Sequence, residues 1–199
     1  MKRIAALAIL FASACAIAQT DMSMPKDSRS DADKIADALK AGPEFVTKDA
    51  TVVDWPKTKD GEYRVLRPGT NGWTCLPGLG AAHQDEPGCY DAAFFTWIKD
   101  TLAGRTPHLD RVGMSYMYAG KWLGTKDHPS QDDAHAFHVG PHIMIVTPDS
   151  NELTLMNRDG TGGLAYVNGL PGRPGLFLVI PIKQWGDPYV TKPMEPMNH

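Results

Sequence analysis

Three histidines fall within eight residues, at His135, His138 and His142, in the segment Asp132-Asp133-Ala134-His135-Ala136-Phe137-His138-Val139-Gly140-Pro141-His142. Neutral imidazole is the commonest metal ligand, and three rings on one ion leave a fourth position for water or a substrate atom. The spacing His-x2-His-x3-His serves two geometries. A helical turn over 135–139 puts His135 and His138 on one face. An extended strand sends them to opposite sides. Gly140-Pro141 bends the chain before His142 and offers a way to bring the third ring back. Met144 shares a strand face with His142, and thioether with imidazole is a copper pairing. Plainer readings stand beside these. His142 can open a buried strand and bond to backbone, His135 and His138 can be solvated loop residues, and Met144 can be core. The expected ligand set is His135, His138 and His142, and the expected ion is copper or zinc.

Cysteine usage speaks to compartment. Two cations, Lys2 and Arg3, precede a mostly apolar run from Ile4 to Ile17. That run is shorter than the ~20 residues a membrane span needs, and Ala16-Ile17-Ala18 is a small-x-small cleavage site. Residues 1–18 therefore read as a signal peptide cleaved before Gln19. Lipidation of Cys15 is the alternative processing. Loss of Cys15 leaves Cys75 and Cys89, which pair in an oxidising compartment. Their ring of 15 residues contributes ~3 kcal/mol in the chain-entropy model. With Pro77-Gly78, Gly80 and Pro87-Gly88 inside it, the bridge is expected to tie down a segment of little regular structure. The expected location is the periplasm or the medium.

The trimmed chain carries 18 bases against 23 acids, a net charge of −5. That balance argues against a nucleic-acid partner. No later apolar run reaches membrane length, so no integral membrane segment is expected after signal removal. The partners that fit are a small ligand or a metal ion.

The elements that must carry these residues follow from periodicity. Hydrophobic content of 42%, charged content of 22% and a mean hydropathy of −0.30 describe a globular chain, and 19 Gly with 16 Pro make it loop-rich. Ser30 with Asp33 three residues on predicts a helix start, and Gly42-Pro43 its end. Asp91 predicts a second cap, followed by Phe94, Phe95, Trp97, Ile98 and Leu102 at helical spacing and a stop at Gly104. Strands are expected over 50–55, 62–67, 111–119, 142–146, 164–167 and 176–180, with a polar loop over 120–133. The predicted fold is α+β, a single domain with a mainly antiparallel sheet of about six strands and two helices. The expected organisation is a signal peptide over 1–18, a disordered segment over 19–29, a globular domain over 30–190 and a flexible tail over 191–199. Trp73, Trp122, Tyr116 and Tyr118 are candidates to line a pocket.

Arg67-Pro68-Gly69-Thr70-Asn71-Gly72-Trp73-Thr74-Cys75, Cys89 before an aromatic helix, and Gly140-Pro141-His142-Ile143-Met144-Ile145-Val146 together resemble a group of uncharacterised exported bacterial proteins. These share an Asn-Gly-Trp-Thr-Cys turn and a Gly-Pro-His-Ile-Met strand. The similar region spans roughly residues 50 to 182. The resemblance implies a single exported domain and directs attention to those two segments.

Nucleophilic catalysis has little footing. There is no Gly-x-Ser-x-Gly elbow, and Gly160-Thr161-Gly162-Gly163 lacks the P-loop lysine. The leading expectation is a non-catalytic binding protein with a His-based transition-metal site. One alternative is a metal-assisted hydrolase or oxidoreductase using the same histidines, with Asp133 as acid or base. Another is an envelope interaction protein that makes contact through loop 120–133.

Overall fold

The computed structural model describes residues 23–79, 86–123, 137–158, 164–169 and 175–182, with the backbone alone for 121–123 and 137–138. Local chemistry sets its helices. Helix α1 spans Asp31–Ala38, and Ser30 caps it by accepting from the Asp33 amide at 3.2 Å. One 3-10 turn, Leu39–Ala41, continues the chain to Gly42. Helix α2 spans Glu44–Thr47, straight after Pro43. Helix α3 spans Ala92–Leu102, and Asp91 caps it by accepting from the Phe94 amide at 2.8 Å. Gly104, at φ +76°, closes that helix in a conformation that costs glycine little.

The strands are β1 Thr51–Val53, β2 Val65–Arg67, β3 Thr74–Leu76, β4 Gly88–Tyr90, β5 Gly113–Met117, β6 Lys121–Leu123, β7 Phe137–Val139, β8 His142–Val146, β9 Tyr166–Gly169 and β10 Leu176–Pro181. Eight form one sheet in the order β2-β1-β3-β4-β5-β8-β10-β9, and β6 with β7 make a separate ribbon. Every pair in the sheet is antiparallel except β1 with β3. The class is α+β and loop-rich, as periodicity predicts, but the counts differ. Among the described residues, eight strands in a mixed sheet and three helices replace about six strands and two helices. The additional elements β3, β4 and α2 have three, three and four residues. That is too short for a period to show in the sequence.

Alternation sorts side chains onto two faces. On the first, Val53, Leu76, Tyr90, Met117, Met144, Val146 and Val179 meet Phe94 and Trp97 of α3. Trp97 lies 5.5 Å from Phe94 and 5.4 Å from Phe177, ring centre to ring centre, the second pair edge to face. On the second face Val52, Cys75 and Cys89 meet Ala38, Ala41, Val46 and Ala50. Three alanines let the α1–α2 layer lie close to the strands.

Helix α3 approaches the sheet at Gly113. A β-carbon there would stand 2.5 Å from the Phe94 nitrogen and 2.9 Å from a Val146 methyl. The Asp91 amide donates to the Met114 carbonyl at 3.0 Å, which fixes the start of the helix on β5. Gly113→Ala is therefore expected to destabilise the fold by ~1–3 kcal/mol through overpacking. Phe94→Ala, which empties a fully buried site, should cost ~3–5 kcal/mol. Gly140→Ala meets no atom within 4 Å and should stay within about 0.5 kcal/mol of the parent. Urea midpoints of the three variants check that order.

Candidate functional site

The histidine segment sits on a long hairpin with a kink. The β5–β8 ladder runs from Gly113 opposite Val146 to Met117 opposite His142. The β6–β7 ladder resumes at Lys121 opposite Val139 and ends at Leu123 opposite Phe137. Three residues separate the ladders on the outgoing side and two on the returning side. That mismatch of one works as a bulge and turns the ribbon away from the sheet. Gly120 lies at the kink with φ +80°. Trp122, expected in a polar loop, is a strand residue opposite His138. His138 stands in extended backbone, so the helical-turn geometry does not apply to it. His135, Asp132 and Asp133 lie outside the described residues, as do the other residues between β6 and β7.

His142 is 2% exposed. Its Nδ1 donates to the Gly140 carbonyl at 2.8 Å. The bend at Gly140-Pro141 thus returns the ring to the backbone of its own turn. In a neutral ring this hydrogen bond puts the lone pair on Nε2. Met117 lies directly opposite on β5, and Pro181 on β10. Met144 shares the face and packs in the core with Met117. Ser115, opposite Met144, is fully buried, and its hydroxyl has no hydrogen-bond partner among the described residues. Among the described residues no three His, Cys, Asp or Glu side chains converge to hold a metal ion.

Cys75 and Cys89 are bridged, with sulfurs 1.98 Å apart. They are directly opposed residues of β3 and β4. The bridge joins two paired strands in the interior of the sheet, and the described residues inside its ring beyond those strands, 77–79 and 86–87, form no helix or strand, as expected.

The Arg67–Trp73 segment, which carries much of the resemblance, is a clasp on α2. The Arg67 guanidinium donates to the carbonyls of Thr47 at 2.7 Å and Ala50 at 2.8 Å. Asn71 Nδ2 donates to the Val46 carbonyl at 2.7 Å, and Asn71 Oδ1 accepts from the Trp73 amide at 3.1 Å. A short helix cannot satisfy its last carbonyls itself, and this turn does so. Gly69 lies so close to Ala50 and Thr51 that a β-carbon would stand 2.2 Å from their backbone. Trp73 packs on Tyr116 at 5.3 Å, and Tyr116 on Tyr118 at 5.6 Å. These three pocket candidates therefore pack in a row, with Tyr116 between the other two and edge to face with Tyr118.

No protein-family model, curated protein or solved structure matches the chain. No described helix is long and apolar enough to cross a membrane.

An ionic network also escapes sequence reasoning. Residues 23–29, part of the segment expected to be free, run along the domain. Ser23 bridges Thr58, and the Met24 amide donates to the Lys57 carbonyl at 3.0 Å. Arg29 pairs with Asp27 at 2.7 Å and Asp37 at 2.8 Å, and it donates to the Gly78 carbonyl. Lys34, its side chain 7% exposed, pairs with Asp54 at 2.9 Å. Arg64 joins Asp54 to Asp31. The pattern in the sequence that could have suggested this is a lysine set among the apolar residues of α1.

The Arg29 hydrogen bond holds the Asp27 carboxyl below its ordinary value. A depressed carboxylate adds stability above the unfolded value of about 3.9, and that stability is lost as pH falls through the lower folded value. Asp27→Asn is therefore expected to flatten the loss of thermal stability between about pH 4 and 2. Near neutral pH it should lower stability by about 1 kcal/mol or less, because Arg29 is partly solvated. Melting curves across that range check both the sign and the window.

Proposed function

We propose that the chain is an exported, non-catalytic binding protein that takes copper or zinc through imidazoles at the foot of the β6–β7 ribbon. His142 is the anchoring donor, and His138 and His135 are its partners. One observation carries the reading: the His142 Nδ1 contact with the Gly140 carbonyl. Metal-ligating histidines commonly hold their second nitrogen on a carbonyl or carboxylate, which fixes the tautomer and the orientation of the ring. The kink supports it further, since it brings the strand of His138 back to the sheet two residues before His142. Export is supported by the Cys75–Cys89 bridge, because structural disulfides persist in oxidising compartments.

The test is titration of the purified oxidised chain, freed of metal, with Cu(II), Cu(I) and Zn(II). Metal at about 100 times its Kd should stabilise the fold by ~2.7 kcal/mol. His138→Ala and His142→Ala should each abolish most of that shift. His138→Ala should leave the metal-free melting temperature nearly unchanged, which separates ligand loss from damage to the core. Absence of a shift with all three ions rejects the proposal.

A further inference from the structure

The bridge between Cys75 and Cys89 lies where no reagent reaches it in the closed fold. Both residues are 0% exposed. Strand β1 flanks β3 and strand β5 flanks β4, so neither cysteine stands at an edge of the sheet. The sulfurs face the α1–α2 layer, among Ala38, Ala41, Val46 and Ala50. The Ala38 carbonyl oxygen lies 3.9 Å from Cys89 Sγ. Exchange requires a nucleophile to attack one sulfur while the other leaves. The approach to either sulfur is therefore filled by the end of α1 and the turn that follows it.

We propose that the α1–α2 layer is a gate for thiol chemistry at this bridge, and that reduction and oxidation run through local opening of the layer while the sheet stays folded. The attachments of the layer support this. Its fully buried apolar contacts with the sheet are small, three alanines and one valine, with Ile35 and Leu39 only partly buried beside them. Its perimeter is held by polar clasps to residues beside the strands: Arg29 on Gly78, Lys34 on Asp54, Arg64 on Asp31, and Asn71 on Val46. Two of these are partly or largely exposed, with side-chain exposures of 29% for Arg29 and 56% for Arg64. Contacts of this kind open at lower free energy than a sheet core does. By contrast α3 covers the opposite face with Phe94 and Trp97, at 0% and 3% exposure. The two layers on one sheet thus differ in how readily they leave it.

The chemistry balances with ordinary partners. A water-soluble phosphine attacks one sulfur and the sulfur–sulfur bond breaks. Water then hydrolyses the phosphonium, giving a phosphine oxide and two thiols. Phosphorus supplies the two electrons, and water supplies the oxygen and both protons. In the forward direction a small disulfide oxidant takes two electrons from the thiol pair and leaves as two thiols. The open layer admits either reagent, and the closed layer then protects the bridge.

The experiment follows phosphine reduction of the purified oxidised chain by alkylation and intact mass, across a series of low urea concentrations. Reduction should be much slower than that of oxidised glutathione under the same conditions. Its rate should rise with urea at well under half the slope of equilibrium unfolding, since the slope follows the surface exposed. Asn71→Ala, which removes one of the two side chains that clasp α2 and leaves Arg67, should speed reduction ~10-fold, equivalent to ~1.4 kcal/mol of lost closure. Arg29→Gln, which removes one of two ties between the α1 region and Gly78 and leaves the Gly78 amide on Asp37, should act in the same direction and serves if the first variant does not fold. A wild-type rate equal to that of glutathione disulfide overturns the gate. So does a urea slope matching global unfolding, or an unchanged rate in both variants.

Discussion

A covalent bond between directly opposed residues of β3 and β4 fixes more than those two strands. Side chains alternate along a strand, so a slip of one residue would exchange Cys75 with Leu76 and Cys89 with Tyr90 across the sheet. The large apolar side chains would then face the alanines of α1, and the sulfurs would face α3. With the bridge in place, Leu76 and Tyr90 must meet Phe94 and Trp97, and the small residues must meet the small residues. The same register carries outward. Strand β1 adds parallel to β3, with Val52 beside Cys75, and β5 adds to β4, with Tyr116 opposite Cys89.

The two helical layers then solve different problems. Helix α3 buries aromatic area, and its closeness depends on Gly113 lacking a β-carbon. Its attachment is hydrophobic and central. The α1–α2 layer buries smaller side chains, with three alanines at its centre and Val46, Ile35 and Leu39 around them. Charged and amide side chains at its perimeter hold it in place. Lys34 is the clearest case, because its ammonium is nearly buried against Asp54. Removing one partner of such a pair leaves a desolvated charge, and that is more costly than the pair is favourable. The Arg67–Trp73 turn belongs to this system. Its polar groups serve the carbonyls at the end of α2, and that service accounts for the Arg, the Gly and the Asn in it.

The histidine segment obeys a separate logic. The kink between the β5–β8 and β6–β7 ladders turns a continuous hairpin into a sheet strand pair and a projecting ribbon. His142 closes the sheet side of that kink, with its ring locked to Gly140. His138 belongs to the ribbon side. The metal reading therefore depends on how rings held by two different ladders meet across the bend.

Read alone, the sequence determined those elements whose causes are local. Ser30 and Asp91 cap helices because a side-chain oxygen three residues before an amide is enough to start one. Gly104 ends α3 because a left-handed residue suits glycine. The strands β5, β8 and β10 are long enough for alternation or apolar run to declare them. The expectation of export rests on the apolar N-terminal run, the cysteine count and the resemblance. Tertiary structure decided the rest. Strands of three residues carry no period, so β3 and β4 exist because their neighbours pair with them. That Cys75 faces Cys89 follows from register, and register comes from contacts far apart in the chain. That Asn71 serves α2, that Arg29 ties α1 to Gly78, and that His142 bonds to backbone follow from which groups the folded sheet leaves within 3 Å of one another. No spacing along the sequence encodes such distances.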